Sequence, residues 1–193
     1  MNYYVCSYGG CGSHCLKNYL SQFGKVKHIH SKNPPDKLEY IGNEKNGRAY
    51  VEHFNGIKIP EDEIKNYKVI YIYKNPINAI YSRFFNHEHL QHIQCDRFIT
   101  LDEVLNAKKD LYGIYDFYSN YTRENKNRNY KIICVNYNTI FDNIDELNNI
   151  LGITTKKKIE KKETIHTMEH YDALYEIYKP LIDIMNKNTI SIV

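Results

Sequence analysis

The sequence predicts an α/β single domain with a central, mostly parallel sheet flanked by helices. Three observations carry that prediction. Short apolar runs that suit buried strands alternate with stretches of helical spacing along the chain, with no internal repeat. The first such run breaks into a glycine-rich turn and then directly into a helical pattern. The 193 residues, 42% of them hydrophobic, are enough to bury one core and include no apolar stretch long enough to span a membrane, so residues 1–193 read as one domain.

The elements follow in order. Tyr3, Tyr4, Val5 and Cys6 suit a buried strand, and Leu16, Tyr19, Leu20 and Phe23 recur at helical spacing after the turn. Lys25 to His30 reads as a short second strand. Ser31 to Gly47, with Pro34, Pro35, Gly42 and Gly47, reads as a long polar loop, and Arg48 to Phe54 as a strand. Lys68 to Tyr73 is the clearest buried strand. Asn75 then caps a helix whose first position is Pro76. Thr100-Leu-Asp-Glu103 has the form of a capping box and opens helical sequence that runs, with a break near Gly113, to about Asn125. Within it, Tyr112, Tyr115 and Tyr118, with Phe117 and Tyr121, read as core packing. Tyr130 to Val135 is a further strand, and Ile144 to Leu151 a helix stopped by Gly152. Residues 155–163 form a Lys-rich linker, and residues 171–185 a last amphipathic helix. The tail after it carries no assignment.

The turn from Ser7 to Ser13 holds the first chemical signal. Glycines between a strand and a helix aim several backbone N–H groups, with the positive end of the helix dipole, at one point, where an anion such as a phosphate can be held. Such turns also arise from chain geometry alone. The strict nucleotide P-loop pattern is absent: Gly9 to Gly12 is too short a spacing, and His14 stands where a Lys would follow the last glycine.

A formal charge of +3 is too small to argue for nucleic acid and suits a small anionic ligand. The five cysteines are an odd set without framework spacing, which fits reduced thiols. The opening goes straight into a strand without a basic region and apolar run, so the expected location is cytoplasmic, with no membrane partner.

Three of these junctions together resemble the sulfotransferase family, whose donor is 3′-phosphoadenosine 5′-phosphosulfate (PAPS). Ser7-Tyr-Gly-Gly-Cys-Gly-Ser-His-Cys-Leu16 resembles the family's P-loop-like turn around the donor's 5′-phosphosulfate: a Ser, a variable residue, Pro-Lys, Ser-Gly-Thr-Thr and a Trp-Leu pair. Val69 to Phe84 is similar to its 3′-phosphate segment, with Lys74 in the usual Arg position and Ser82 eight residues later. Ile132 to Ile140, followed by Ile150-Leu-Gly-Ile153, resembles the family's strand ending in Tyr-Glu-Asp-Leu and its later Phe-Leu-Gly. Residues 3 to 153 carry the likeness.

The resemblance implies sulfuryl transfer from PAPS to a hydroxyl or amine of a small-molecule or glycan acceptor, a carbohydrate or a peptide side chain, leaving adenosine 3′,5′-bisphosphate and needing no metal. It implies a donor site made of Ser7, Gly9, Gly10, Cys11, Gly12, Ser13, His14 and Cys15, with Lys74 and Ser82 on the 3′-phosphate and Tyr137 as a stacking residue. The residues agree with part of this unaided. Lys74 ends a buried strand, and Asn75, Asn78, Ala79 and Ser82 share one face of the next helix, so a cation and a hydroxyl can converge on one phosphate. Lys offers there a point charge without the guanidinium fork.

Catalysis in the family uses a His near a strand end as general base, and His53 is the candidate, with Glu52 a weaker rival; imidazole can take a proton near neutral pH. Gly10 stands where the family has Lys or Arg, and Cys15 where it has Trp. Helical side chains lean toward the helix N-terminus, so His14 or Lys17 can bring charge back to the leaving oxygen. In the family a basic C-terminal segment also meets the 3′-phosphate, a part open to Lys156–Lys158.

His87, His89, His92 and Cys95 are dense in potential ligands but match no structural zinc spacing, and read as an acceptor-side loop. Two rival functions remain. A nucleotide-binding pseudoenzyme is motivated by Gly10. A phosphoryl-transfer enzyme would need Mg²⁺ and a carboxylate, and no Walker-type Asp ends Val69 to Tyr73.

Overall fold

The computed structural model describes residues 1–46, 49–84, 99–161 and 169–193. Strand β1 (Asn2–Cys6) leads through the glycine turn into α1 (Ser13–Leu20) and on to β2 (Lys25–Ile29). A hairpin of β3 (Glu39–Asn46) and β4 (Ala49–Lys58) follows, then β5 (Tyr67–Tyr73) and α2 (Pro76–Phe84). Helices α3 (Leu101–Ala107) and α4 (Ile114–Thr122) precede β6 (Ile132–Asn136), α5 (Ile144–Leu151), α6 (Tyr171–Met185) and β7 (Ile190–Ile192).

Among the described residues, seven strands make one sheet in the order β3, β4, β2, β1, β5, β6, β7. Neighbours from β4 to β6 are parallel, and β3 and β7 close the two edges in antiparallel fashion. The fold is therefore α/β with a single, mostly parallel sheet, as the alternating pattern predicts. Chain order reverses at β1: β2 lies on one side of it and β5 on the other. Right-handed crossovers running in opposite directions put their helices on opposite faces. Accordingly α1 and α5 pack on one face, against Tyr3, Val5, Ile70, Ile72, Ile133 and Val135. Residues of α2, α3, α4 and α6 pack on the other, against Tyr4, Cys6, Val69, Tyr71 and Cys134. The aromatic row is core, with Tyr71 stacked on Tyr121 at 4.5 Å between ring centres and Phe117 on Tyr121 at 5.3 Å.

Helix ends follow local chemistry. Asn75 Oδ1 accepts from the Ile77 amide at 3.0 Å, which fixes the start of α2. The capping box is complete: Thr100 Oγ1 accepts from the Glu103 amide at 3.2 Å, and Glu103 Oε2 accepts from the Thr100 amide at 2.8 Å. Thr100→Ala is expected to lower stability by about 1 kcal/mol, read from the urea unfolding midpoint. Gly152 ends α5 at φ 72°.

Several expectations are corrected. Ser31 to Gly47 is not one loop, because Glu39–Asn46 forms β3; as an edge strand it can be polar, and only its pairing with β4 marks it as a strand. Strand β4 runs on to Lys58, past Phe54. Helix α1 stops at Leu20, and Phe23 lies past its end with its ring edge-on to Tyr19 at 5.3 Å. The helical stretch after Thr100 does break near Gly113: Lys108 at φ 49° ends the first helix and Gly113 at φ 69° opens the second, which stops at Thr122. The unassigned tail supplies β7. No helix among the described residues is long and apolar enough to cross a membrane.

Candidate functional site

In an open parallel sheet, the crevice outside the carboxyl ends of the strands, where the strand order reverses, is where ligands bind. Here that point is the C-terminal end of β1 and β5, and the glycine turn leaves β1 there. Gly9, Gly10 and Gly12 stand at φ 102°, 66° and 77°. Close packing adds to the backbone requirement. A Cβ on Gly10 would lie 2.6 Å from the Ala79 carbonyl oxygen and 3.2 Å from Ser82 Cβ, both on α2, and one on Gly12 would lie 2.0 Å from the Tyr137 ring. The turn is thus wedged between α2 and the residue after β6.

This wedge brings together much of what the sequence singles out. Ser82 borders Gly10. Lys74 Nζ lies 5.2 Å from the centre of the Tyr137 ring, the same ring that covers Gly12. Burial holds the Lys74 ammonium below the usual lysine range; nearby Cys11 opposes that effect, and the like charge of Lys161 adds to it. Burial likewise pushes the Cys11 thiol up to about 11 against the pull of Lys74 and Arg83, so Cys11 is a packing residue at neutral pH.

Other expected residues take different parts. Tyr137 is buried, with Gly12 on its ring and Phe141 edge-on at 5.0 Å. It shapes the turn and offers no exposed face for a nucleobase. Arg83 is buried too, donating from Nη1 to the Tyr8 carbonyl, with its guanidinium 5.2 Å from the centre of the Tyr8 ring. It braces the turn from behind. Cys15 is half-buried and donates from Sγ to the Glu160 carbonyl at 3.1 Å. Lys17 stands one turn further along α1.

His53 sits in β4, two strands from β1, paired with Gly42 of β3 and with Nδ1 3.4 Å from the Val51 carbonyl. Glu52 accepts from Lys27 Nζ at 2.9 Å and from the His28 amide at 2.5 Å, which ties β4 to β2.

Three imidazoles meet at the mouth of the turn. His14, exposed in the first turn of α1, lies 4.8 Å from His28 between ring centres, and His28 lies 4.4 Å from His30. His28 Nε2 is 2.7 Å from Ser13 Oγ, and His30 Nδ1 donates to the Ser7 carbonyl at 2.8 Å. Of these, His14 stands out in the sequence as a site residue and His28 and His30 do not. Alternation along β2 places both on one side of that strand, a signal available in the sequence, but it does not reveal which side faces the turn.

The Lys-rich segment is another departure. Described as far as Lys161, it lies along α1 instead of standing free: Lys157 Nζ donates to Gln22 Oε1 at 2.7 Å, and the Tyr19 hydroxyl lies 3.4 Å from the Lys157 carbonyl. Between segment and helix is a pocket of about 230 Å³ lined by Cys15, Asn18, Tyr19, Gln22 and residues 158–160. Lys161 is the lysine of this segment whose charge reaches Lys74. Residues 87, 89, 92 and 95, the His and Cys group, lie outside the described residues. Among those described, no group of three or more His, Cys, Asp or Glu is arranged to hold a metal ion.

Fold and site together define an α/β protein with one seven-stranded sheet and a glycine turn at the reversal of strand order. No family model, curated protein or solved structure matches the chain.

Proposed function

We propose that the protein is a PAPS-dependent sulfotransferase whose donor site is the Ser7 to Ser13 turn, acting as a P-loop-like phosphate cradle, with Lys74, Ser82 and Lys161. One observation carries the reading. The half-buried Lys74 lies at the end of β5 over the Tyr137 ring that covers Gly12, next to a glycine turn at the reversal of strand order, and the like charge of Lys161 acts on it. The hydroxyl of Ser82 and the amides of the turn add neutral donors around the same place.

When bound, PAPS supplies the sulfuryl group: the acceptor's oxygen or nitrogen bonds to sulfur, the sulfur–oxygen bond to the 5′-phosphate breaks, and the acceptor proton leaves to a base. The turn's amides and the N-terminus of α1 stabilise charge growing on the departing phosphate. Lys74, Lys161 and Ser82 hold the 3′-phosphate and so fix the donor's register. His53 on β4 is the base for an acceptor, a carbohydrate or a peptide side chain, lying over β2 and β4.

Calorimetric titration with adenosine 3′,5′-bisphosphate, AMP and ATP tests the donor site. Wild type is expected to prefer the bisphosphate, and Lys74→Ala with Ser82→Ala to weaken that binding by about 30-fold or more, the loss of two contacts of which one is charged. Equal affinity for all three nucleotides would exclude the donor assignment. His53→Ala is expected to lower turnover of labelled PAPS by about 100-fold or more with bisphosphate affinity unchanged.

A second reading, a protein that holds the nucleotide without turnover, is favoured by Gly10. The Ala79 carbonyl fills the space in which a basic side chain would have to start. Binding with no sulfuryl transfer to any acceptor class would select it.

A further inference from the structure

We propose that the His14, His28, His30 row is a proton-linked anion clamp: arrival of the donor's phosphate draws a proton onto the row, and that proton turns the Ser13 hydroxyl toward the ligand. The proposal rests on the donor reading above and names how the turn acquires the cation that Gly10 does not provide.

The hydrogen bonds set the chemistry. The Ser7 carbonyl can only accept, so His30 Nδ1 carries a hydrogen and any further proton on that ring goes to Nε2. The pair of His28 Nε2 and Ser13 Oγ at 2.7 Å can run either way. With His28 neutral and Nε2 bare, Ser13 donates its hydroxyl hydrogen to the ring. Once His28 takes a proton from solvent, Nε2–H donates to Ser13 Oγ, and the hydroxyl hydrogen is released to point at an anion on the turn. One proton is gained, and no bond other than N–H is made.

Ser13 is the first residue of α1 and follows Gly12, so the redirected hydroxyl joins the amides that end the turn. His14 and His30 each lie edge-on to His28 and share the incoming charge. Among the described residues, Lys27 on the same strand and Glu52 on β4 are charged groups next to His28. Glu52 is occupied by Lys27 and by the His28 backbone amide, so its charge is partly balanced without the imidazole. An anion within about 4–6 Å of an imidazole favours its protonated form, raising its proton affinity by roughly 10- to 1000-fold.

The test is calorimetric binding of adenosine 3′,5′-bisphosphate to the full chain at pH 7.5 in two buffers of different protonation enthalpy. Wild type and His28→Gln are compared, so that protons taken up by the nucleotide itself cancel. Glutamine keeps an N–H donor for Ser13 but cannot take a proton. On binding, wild type is expected to take up about 0.4 proton or more in excess of the uptake by His28→Gln. Between pH 6.5 and 8.5 its affinity is expected to fall about tenfold further than that of His28→Gln. Ser13→Ala, which leaves the histidines in place, is expected to weaken binding at least fivefold. Equal proton uptake by wild type and His28→Gln, or undiminished affinity in Ser13→Ala, would overturn the clamp while leaving the donor site standing. Failure of the wild type to bind the bisphosphate would overturn both.

Discussion

Gly10→Lys, which gives the turn the basic residue of the sulfotransferase pattern, is expected to destabilise the protein by about 2–5 kcal/mol. Two effects add. A side chain at φ 66° leaves the backbone in the left-handed region, a cost of roughly 1–2 kcal/mol. Its Cβ would also lie 2.6 Å from the Ala79 carbonyl oxygen, a backbone atom of α2 that cannot swing aside, and overpacking of that kind costs about 1–3 kcal/mol. Urea unfolding of wild type and Gly10→Lys checks the sum. Unchanged stability would mean that turn and helix can separate, and that a basic side chain can enter the site after all. On the proposed donor reading, the same contact keeps a basic side chain out of the turn and leaves the histidine row to supply the charge there.

Tyr178→Phe is expected to cost about 1.5–3 kcal/mol at pH 7.5 and much less near pH 4. Asp110, between α3 and α4, accepts from the Tyr178 hydroxyl at 2.7 Å and from the Tyr115 amide at 2.8 Å. Burial raises the Asp110 carboxyl above the usual range, and these donors act against it. A folded value above the unfolded one means that the native state binds more protons across that interval, so Asp110 lowers stability as pH rises through it. Removing the hydroxyl raises the folded value further and deepens the loss wherever the carboxylate is ionised, because a hydrogen bond to a charged group is lost. Below the ordinary aspartate range of about 3.9 both forms carry a neutral acid, and the difference shrinks. Unfolding midpoints at the two pH values measure it. A loss of equal size at both would show that Tyr178 acts through packing alone.

Much of the architecture was legible because its signals are local. The capping box at Thr100, the Asn75-Pro76 start, the Gly152 stop and the bounds of α6 each depend on residues within a few positions of one another. Strands β1 and β5 were legible as continuous apolar runs, buried on both faces by helices. Strand β3 was not, because an edge strand can be polar and is identified only by its partner. Strand β7 is three residues long and exists as a strand only through β6.

The candidate site divides along the same line. By itself the sequence determined the glycine turn between β1 and α1, the lysine at the end of β5 and the serine two turns into α2, since backbone freedom and helical periodicity place each of them from near neighbours. Only the tertiary structure decided which groups meet there. It set Ser82 against Gly10 and Tyr137 over Gly12, sent Arg83 behind the turn, and placed His28 against Ser13 with His30 edge-on to it. These contacts depend on sheet order and on which face each crossover takes, which are settled by burying the two faces of one sheet and leave no mark in the local sequence.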